Sequence, residues 1–383
     1  MSDQYLELYL HIPFCLKKCA YCDFLSFQGG KEVQEKYVNA LIREIEAVGS
    51  KNLIVSSIYL GGGTPSTLSG EQIGRVMECV MDTFCILPSA EISMECNPGT
   101  VTEEKLLAYR SGGVNRISFG LQSAHNDELK KLGRIHTWET FLESFQLARK
   151  MGYTNINVDV MSGLPEQTLD RYLDTLKRVV DLKPEHISAY SLILEEGTPF
   201  YQIYYDTAME EILPDEETER RMYWKGRQLL EEYGYHCYEI SNYAKPSKAC
   251  IHNIGYWTGR EYLGMGLGAS SLFLGKRFHN TSSMDTYLTW ADQPKKIRVE
   301  EACMTKKRAM EEFAFLGLRL TEGINTVGFE RRFGCTFQSV YGKVTERFLN
   351  LGFLVERKGK ICLTNRGIDV SNQIMAEFLM DGE

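Results

Sequence analysis

Apolar and polar positions alternate in six short segments in the first half of the chain, and helical periodicity occupies the intervals between them. The segments predicted as strands are Tyr5–Ile12, Ser57–Leu60, Glu91–Cys96, Arg116–Leu121, Asn155–Val160 and His186–Leu192. Gln167–Val180 has apolar residues at helical spacing, and Ser69 and Gln72 have the spacing of a capping box that opens a helix. This regular alternation requires parallel strands joined by crossover helices, so the sequence predicts an α/β fold, an open or partial (β/α)6 TIM-like barrel.

The phase of these strands predicts a polar interior. Alternate side chains of a strand point to opposite faces of the sheet. The side chains opposite to the apolar face of their strands include Tyr9, Glu95, Gln122 and Asp159. Each alone is compatible with a solvated strand end, but four strands that agree favour one shared cavity near the carboxyl ends, where (β/α) barrels build active sites.

The second half of the chain is predicted to be mixed and then helical. A helix at Asp215–Tyr233, a strand near His236–Ile240 and the glycine-rich Tyr262–Ala269 precede the charged stretch Gln293–Arg298, which we interpret as a linker. Beyond it lie three predicted helices, two short strands and a terminal helix, at Lys306–Leu318, Val327–Phe333, Phe337–Leu351, Phe353–Arg357, Lys360–Leu363 and the C-terminus. We therefore expect two units, residues 1–295 and 298–383, of which the second resembles a winged-helix domain.

Composition and charge exclude some classes of function for these units. Of 383 residues, 43 are Lys or Arg and 51 are Asp or Glu, and this net charge of −8 argues against a general nucleic-acid or anionic-membrane binder. Gln338–Asn350, the helix that would enter DNA, offers only Lys343 and Arg347 as cations, so packing or partner contact is favoured over DNA binding. The eleven cysteines, an odd number, and the absence of a secretory signal pattern or a long apolar run predict a cytoplasmic protein with reduced thiols.

The cysteine triplet after the first strand is the sharpest chemical signal. Cys15, Cys19 and Cys22 are spaced C-x3-C-x2-C, and the next cysteine is Cys79. Close thiolates bind soft metals or iron–sulfur clusters, whereas a structural zinc site closes four ligands. Three ligands on a four-iron cluster leave one iron open for a substrate, so a 4Fe-4S cluster is favoured over zinc or inert thiols.

These residues make the chain resemble the radical S-adenosylmethionine (SAM) superfamily, in which the open iron chelates SAM and an electron from the cluster cleaves it to a 5′-deoxyadenosyl radical. Gly61-Gly62-Gly63-Thr64-Pro65, after the second strand, is similar to the superfamily's SAM-binding loop. The resemblance implies that Tyr9 and Tyr21 approach the cluster and SAM. The further SAM-binding residues that it implies are Gly62, Gly63, Thr64, Glu95, Gln122, Arg134 and Asp159.

From Leu8 to the terminal helix, the chain resembles the branch that contains oxygen-independent coproporphyrinogen III oxidases and heme chaperones of the HemW type. Phe24 stands where the oxidases have a further cysteine, and His252-Asn-Ile-Gly-Tyr-Trp257 has the HNxxYW pattern of the chaperones. The resemblance implies that His252 ligates heme, with Cys250 as an alternative ligand. It favours a radical SAM heme chaperone that delivers heme to client proteins, some of them at membranes, with an unidentified electron donor. Coproporphyrinogen III oxidase is the alternative, and a winged-helix regulator with a sensory cluster is a third.

Overall fold

The computed structural model describes residues 5–205, 207, 209 and 212–380. Six parallel strands pair in chain order and form the open barrel that the sequence predicts. They are β1 (Leu6–Ile12), β2 (Ile54–Gly62), β3 (Cys85–Cys96), β4 (Arg116–Gln122), β5 (Ile156–Ser162) and β6 (His186–Ser191). Apolar side chains such as Leu8, Ile58 and Met94 are buried, so that the polar phase of each strand lines the interior.

Crossover helices connect these strands. They are α1 (Lys31–Val48), α2 (Gly70–Thr83), α3 (Glu103–Ser111), α4 (Asn126–Lys131), α5 (Trp138–Lys150) and α6 (Leu169–Asp181). The predicted capping box is present, because Ser69 accepts from the Gln72 backbone N–H at 3.1 Å and the Gln72 side chain accepts from the Ser69 N–H at 3.0 Å. These local signals fix where α2 begins.

The sheet continues beyond both edges of the six-stranded barrel to twelve strands. At the β6 edge, β8 (Asn242–Ala244) pairs antiparallel with β6 and with β7 (His236–Glu239), which follows α7 (Glu216–Glu232). At the β1 edge, β9 (Tyr262–Met265) pairs parallel with β1. The next elements are α8 (Ile251–Thr258), which lies between β8 and β9, then β10 (Ser270–Phe273), β11 (Lys276–Asn280) and α9 (Met284–Trp290).

The linker prediction for Gln293–Arg298 is wrong. This stretch forms the short helix α10 (Pro294–Ile297) and the start of β12 (Arg298–Cys303), which pairs with β11. Ile297 is fully buried, and the Arg298 guanidinium lies 4.2 Å from the centre of the Phe278 ring. The charges that suggested a solvated connection therefore belong to side chains around a buried apolar anchor.

The C-terminal unit has its own apolar core, which includes Phe329, Tyr341 and Phe378. Its elements are α11 (Lys306–Gly317), β13 (Ile324–Asn325), α12 (Thr326–Phe333), α13 (Phe337–Asn350), β14 (Leu354–Arg357), β15 (Lys360–Leu363), α14 (Asn365–Asp369) and α15 (Ser371–Ala376). Three helices with a strand hairpin confirm the winged-helix-like arrangement. The division at residues 295 and 298 stays a prediction, and residues 1–4, 206, 208, 210, 211 and 381–383 of those units lie outside the described part.

Candidate functional site

The three cysteines lie on one loop at the carboxyl end of β1. Backbone hydrogen bonds from Cys15 to Phe27, at 3.0 Å, and from Phe27 to Pro13, at 2.9 Å, close the base of this loop. Burial, together with the neighbouring Cys19 and Cys15 thiols, raises the pKa of Cys22 to about 11. The Cys22 thiol therefore holds its proton at neutral pH, and a metal that binds this thiol must displace the proton.

The glycine loop after β2 lies against the cysteine loop. Gly62 has a φ of 110°, and a Cβ atom on it would overlap the His11 ring. A Cβ atom on Gly63 would lie 2.8 Å from the Phe14 carbonyl oxygen. The Thr64 hydroxyl is 3.5 Å from the Cys15 Sγ. Both glycines are thus required for close packing of the two loops, independently of any ligand.

Arg134, in the loop between α4 and α5, connects the cysteine loop to the glycine loop. Its Nη1 donates to the Cys19 Sγ at 3.4 Å, and its Nη2 donates to the Asn97 Oδ1 at 2.9 Å. Asn97 in turn donates to the Thr64 hydroxyl at 2.8 Å. The two loops are therefore joined by a continuous polar chain, in which Arg134 supplies a half-buried positive charge beside the thiols.

Glu95 and Asp159 form the acidic part of the barrel interior. Glu95 accepts hydrogen bonds from the Tyr59 hydroxyl and the Gly62 backbone N–H, each at 3.1 Å. Burial, and then the charge of Asp159, raise the pKa of Glu95 to about 7. Burial also raises the pKa of Asp159, which accepts from Asn157 at 2.7 Å. Two half-buried carboxylates of this kind favour a cation or hydrogen-bond donors in the space between them.

The remaining predicted SAM residues lie around this acidic pair. Gln122 has a φ of 76°, an uncommon conformation for a residue other than glycine, and its side chain accepts from the Tyr190 hydroxyl at 3.1 Å. Tyr9 stacks on Tyr59 with ring centres 6.4 Å apart. Tyr21, on the cysteine loop, lies against Phe200. The predicted cluster and SAM residues thus occupy one connected region at the carboxyl ends of the strands.

His252 lies on α8, towards the amino ends of β1 and β2 rather than at their carboxyl ends. Its Nδ1 is 3.0 Å from the Ser57 hydroxyl, and its Nε2 is 3.1 Å from the Tyr256 hydroxyl. The ring is 1% exposed and stacks on Tyr59 at 5.2 Å. Burial, and then the nearby Arg116 and Arg260 charges, lower the pKa of His252 to about 3. Its imidazole is therefore neutral and fully engaged at neutral pH.

Two buried glutamates seat α8 in the base of the barrel. Glu91 accepts from the Ile251 backbone N–H at 3.0 Å, where a carboxylate suits the helix N-terminus. It also accepts from the Cys250 thiol at 3.3 Å. A Cβ atom on Gly255, inside the HNxxYW pattern, would overlap the Glu7 carboxylate. The HNxxYW stretch therefore packs in the base of the barrel and stabilises it, in addition to any ligand that it binds.

Three contributors to the interior were missed at the sequence level. They are Asn97, Tyr59 and the buried Arg116, whose guanidinium donates to the Ser93 hydroxyl at 3.3 Å. Asn97 follows Glu95 in the same strand phase, and Tyr59 lies on the polar phase of the second strand, so extending the phase argument finds both. Arg116 stands at the start of its strand, where a solvated charge is the usual interpretation.

The model of the radical SAM superfamily matches residues 9–179, and that of the HemN C-terminal domain matches residues 304–370. The chain is 35% identical over 373 residues to the heme chaperone HemW of Lactococcus lactis, with 97% of each chain covered. It is 34% identical to HemW of Bacillus subtilis, with 97% of this chain and 98% of that one covered.

A solved structure shows the same fold. The coproporphyrinogen III oxidase HemN of Escherichia coli matches with a TM-score of 0.85 and 23% identity, over 99% of this chain and 91% of that chain. No helix among the described residues is long and apolar enough to cross a membrane. The predicted superfamily and its cofactors, a 4Fe-4S cluster and SAM, are confirmed by the family match. The chain belongs to the HemW family of heme chaperones within the radical SAM superfamily.

Proposed function

We propose that this protein holds a 4Fe-4S cluster and SAM at the carboxyl ends of its barrel strands, binds heme, and delivers that heme to a client protein. The observation that carries the proposal is the convergence of a three-thiol loop, a glycine loop and a half-buried acidic pair in one polar region. We expect it to act in the cytoplasm, to receive electrons from a donor protein, and to associate transiently with membranes through its clients.

The residues of this region suit the two cofactors by their chemistry. Cys15, Cys19 and Cys22 supply three thiolates, and Arg134 beside Cys19 balances the negative charge of a thiolate-bound cluster. When bound at a reduced cluster, SAM is the source of a 5′-deoxyadenosyl radical. The chain's own contribution is to orient SAM: Glu95 and Asp159 offer acceptors to its cationic and hydroxyl-bearing parts, and Gly62 and Gly63 let the backbone approach it.

Heme ligation by His252 is proposed together with a movement of α8. In the described conformation the surroundings of His252 do not fit heme, because both ring nitrogens are engaged and the side chain is buried. The alternative ligand Cys250 is also buried, and burial raises the pKa of its thiol to about 12. Either ligand therefore has to leave its place in the barrel base before iron can reach it.

The alternative function is the oxidative decarboxylation of coproporphyrinogen III. Phe24, at the position where the oxidases have a further cysteine, is 63% exposed and offers no metal ligand. The close likeness in fold to HemN does not decide between these functions, because one fold supports many reactions. Phe24 and the HNxxYW stretch both favour the chaperone.

The test is a parallel assay on anaerobically reconstituted protein. We expect a heme Soret band that shifts or weakens in His252→Ala, and no conversion of coproporphyrinogen III to protoporphyrinogen IX. Cys250→Ala is made in parallel, since a thiolate-ligated heme responds to that change and ignores His252→Ala. Tyr256→Phe is the matched control, because it loosens His252 without removing the imidazole. Turnover of coproporphyrinogen III without heme binding would contradict the proposed chaperone function and favour the oxidase function.

A further inference from the structure

A second cavity, of about 430 Å³, lies where the barrel edge meets the C-terminal unit. It is lined from α7 and β7, from the segment after α11, and from the β14–β15 hairpin with α14. None of its lining residues is among those proposed to bind the cluster, SAM or heme.

The lining of this cavity carries a concentrated positive charge. Four arginines, Arg227, Arg319, Arg357 and Arg366, line it together, and no aspartate or glutamate of the described chain does so. This contrasts with a chain whose net charge is −8. Like charges gathered around one cavity repel each other, so an anion that occupies the cavity relieves this repulsion.

Two of these arginines have a carboxylate neighbour, and two do not. Arg227 pairs with Glu231 at 2.8 Å, and Arg319 pairs with the buried Glu239 at 3.3 Å. Among the described residues, neither Arg357 nor Arg366 forms an ion pair. The hairpin side of the cavity therefore offers two guanidinium groups that are not neutralised within the described chain.

A buried donor points to the same conclusion. The Nε of Arg319 belongs to a lining residue, is buried, and has no hydrogen-bond partner in the described part of the chain. Buried polar atoms are normally satisfied. A bound anion would supply the acceptor that this donor lacks.

Apolar side chains complete the wall and limit the class of ligand. Ile240, Leu318, Leu320, Leu363 and Ile368 line the cavity between the arginines. A volume near 430 Å³ falls in the range of small-molecule sites and suits a ligand with an organic framework better than a single inorganic ion. We propose that this cavity binds a small organic anion that carries at least two negative charges as phosphate or carboxylate groups.

Such a ligand would bridge the two units, which already contact each other here. The Ile240 N–H donates to the Arg319 carbonyl at 3.1 Å, and the Thr321 N–H donates to the Tyr238 carbonyl at 3.0 Å. Arg220 on α7 pairs with Asp369 on α14 at 3.0 Å. Because the ligand binds the folded, docked arrangement alone, it should raise the melting temperature of the full chain in a concentration-dependent way.

The experiment uses the full-length protein, with calorimetry and thermal unfolding in ADP, pyrophosphate, citrate and, as the uncharged control, adenosine. We expect one or more of the anions to bind and adenosine not to bind. Binding by ADP and pyrophosphate alone identifies phosphate as the recognised group, and binding by citrate alone identifies carboxylate. The double variant Arg357→Ala/Arg366→Ala should weaken binding at least tenfold, since it removes the two arginines without an ion pair.

Two controls separate this site from the SAM region and from loss of folding. Arg331→Ala, an exposed arginine of the same unit that does not line the cavity, should bind as the parent does. Glu95→Gln, which alters the SAM region, should also bind normally. The double variant Arg357→Lys/Arg366→Lys should recover part of the affinity that the double alanine variant loses. The proposal is overturned if none of the three anions binds, or if the double alanine variant binds them as tightly as the parent.

Discussion

Glu95→Gln is the most informative change in the barrel interior. It keeps the shape of the side chain and removes the charge of a carboxylate that accepts from Tyr59 and from the Gly62 N–H. We predict that the parent binds SAM more weakly as the pH falls through the pKa of Glu95, and that the variant loses this dependence. The reason is that SAM, a sulfonium cation with hydroxyl donors, interacts better with the ionised carboxylate.

The magnitude follows from the pKa of about 7 that burial and Asp159 give Glu95. At about pH 8 most of the SAM-free protein carries an ionised Glu95, whereas at about pH 6 only roughly a tenth does. If binding requires the ionised form, the Kd rises about tenfold over this interval, or ~1.4 kcal/mol. Losing the charged hydrogen bonds should weaken SAM binding in the variant by ~1–3 kcal/mol at the upper pH.

The assay is calorimetric titration of SAM into reconstituted protein at several pH values, each in two buffers of different ionisation enthalpy. The parent should release a proton on binding at about pH 6, and Glu95→Gln should release less. Because Asp159 is coupled to Glu95, Asp159→Asn is measured alongside. Glu346→Gln, on an exposed helix face, controls for the loss of a charge. An unchanged pH profile in Glu95→Gln would refute the assignment of Glu95 to SAM.

Three further predictions concern the cysteine loop and the barrel base. Replacing Cys15, Cys19 or Cys22 by alanine should abolish both the visible absorption of the cluster and SAM cleavage. Alanine at Cys79, Cys85 or Cys96 should change neither. Absorption spectra and SAM turnover are the measurements. Burial raises the pKa of Glu7 to about 8, so this group should lower the unfolding free energy of the parent by up to about 5 kcal/mol as the pH rises from about 4.5 to about 8. Urea unfolding should show a smaller decline in Glu7→Gln. An equal decline in the variant would contradict the burial argument. Gly255→Ala should cost ~1–3 kcal/mol of stability because its Cβ meets the Glu7 carboxylate, whereas the control Gly74→Ala on α2 has open space and should be neutral or stabilising in the same unfolding experiment.

Local periodicity was sufficient to predict the barrel. The capping box at Ser69 and the six strands follow from short-range signals, which each act within one element. The polar phase of the strands also predicted that Glu95 and Asp159 share the interior, where each now has a raised pKa. These inferences succeed because the pleat of a strand ties sequence parity directly to the face of the sheet.

Short-range sequence signals could not predict which strands distant in sequence pair with each other. The pairing of β9 with β1 and of β8 with β6 depends on which sheet edges remain open after the barrel forms. The same is true of α10 and β12, where the charges around Ile297 suggested a linker. The place of His252 was also not predictable from spacing, because it is fixed by Glu7, Ser57 and Glu91, which lie more than 150 residues earlier in the chain.

The dependence of the heme-transfer rate on acceptor concentration shows whether this protein delivers heme to another protein. Heme-loaded, reconstituted protein is mixed with an apo heme protein at increasing concentrations, and the Soret band of the acceptor is followed in time. Delivery through a complex predicts a transfer rate that rises with acceptor concentration before it saturates. A rate that is independent of acceptor concentration would mean that heme only dissociates into solution, and it would contradict the role of this protein as a heme chaperone.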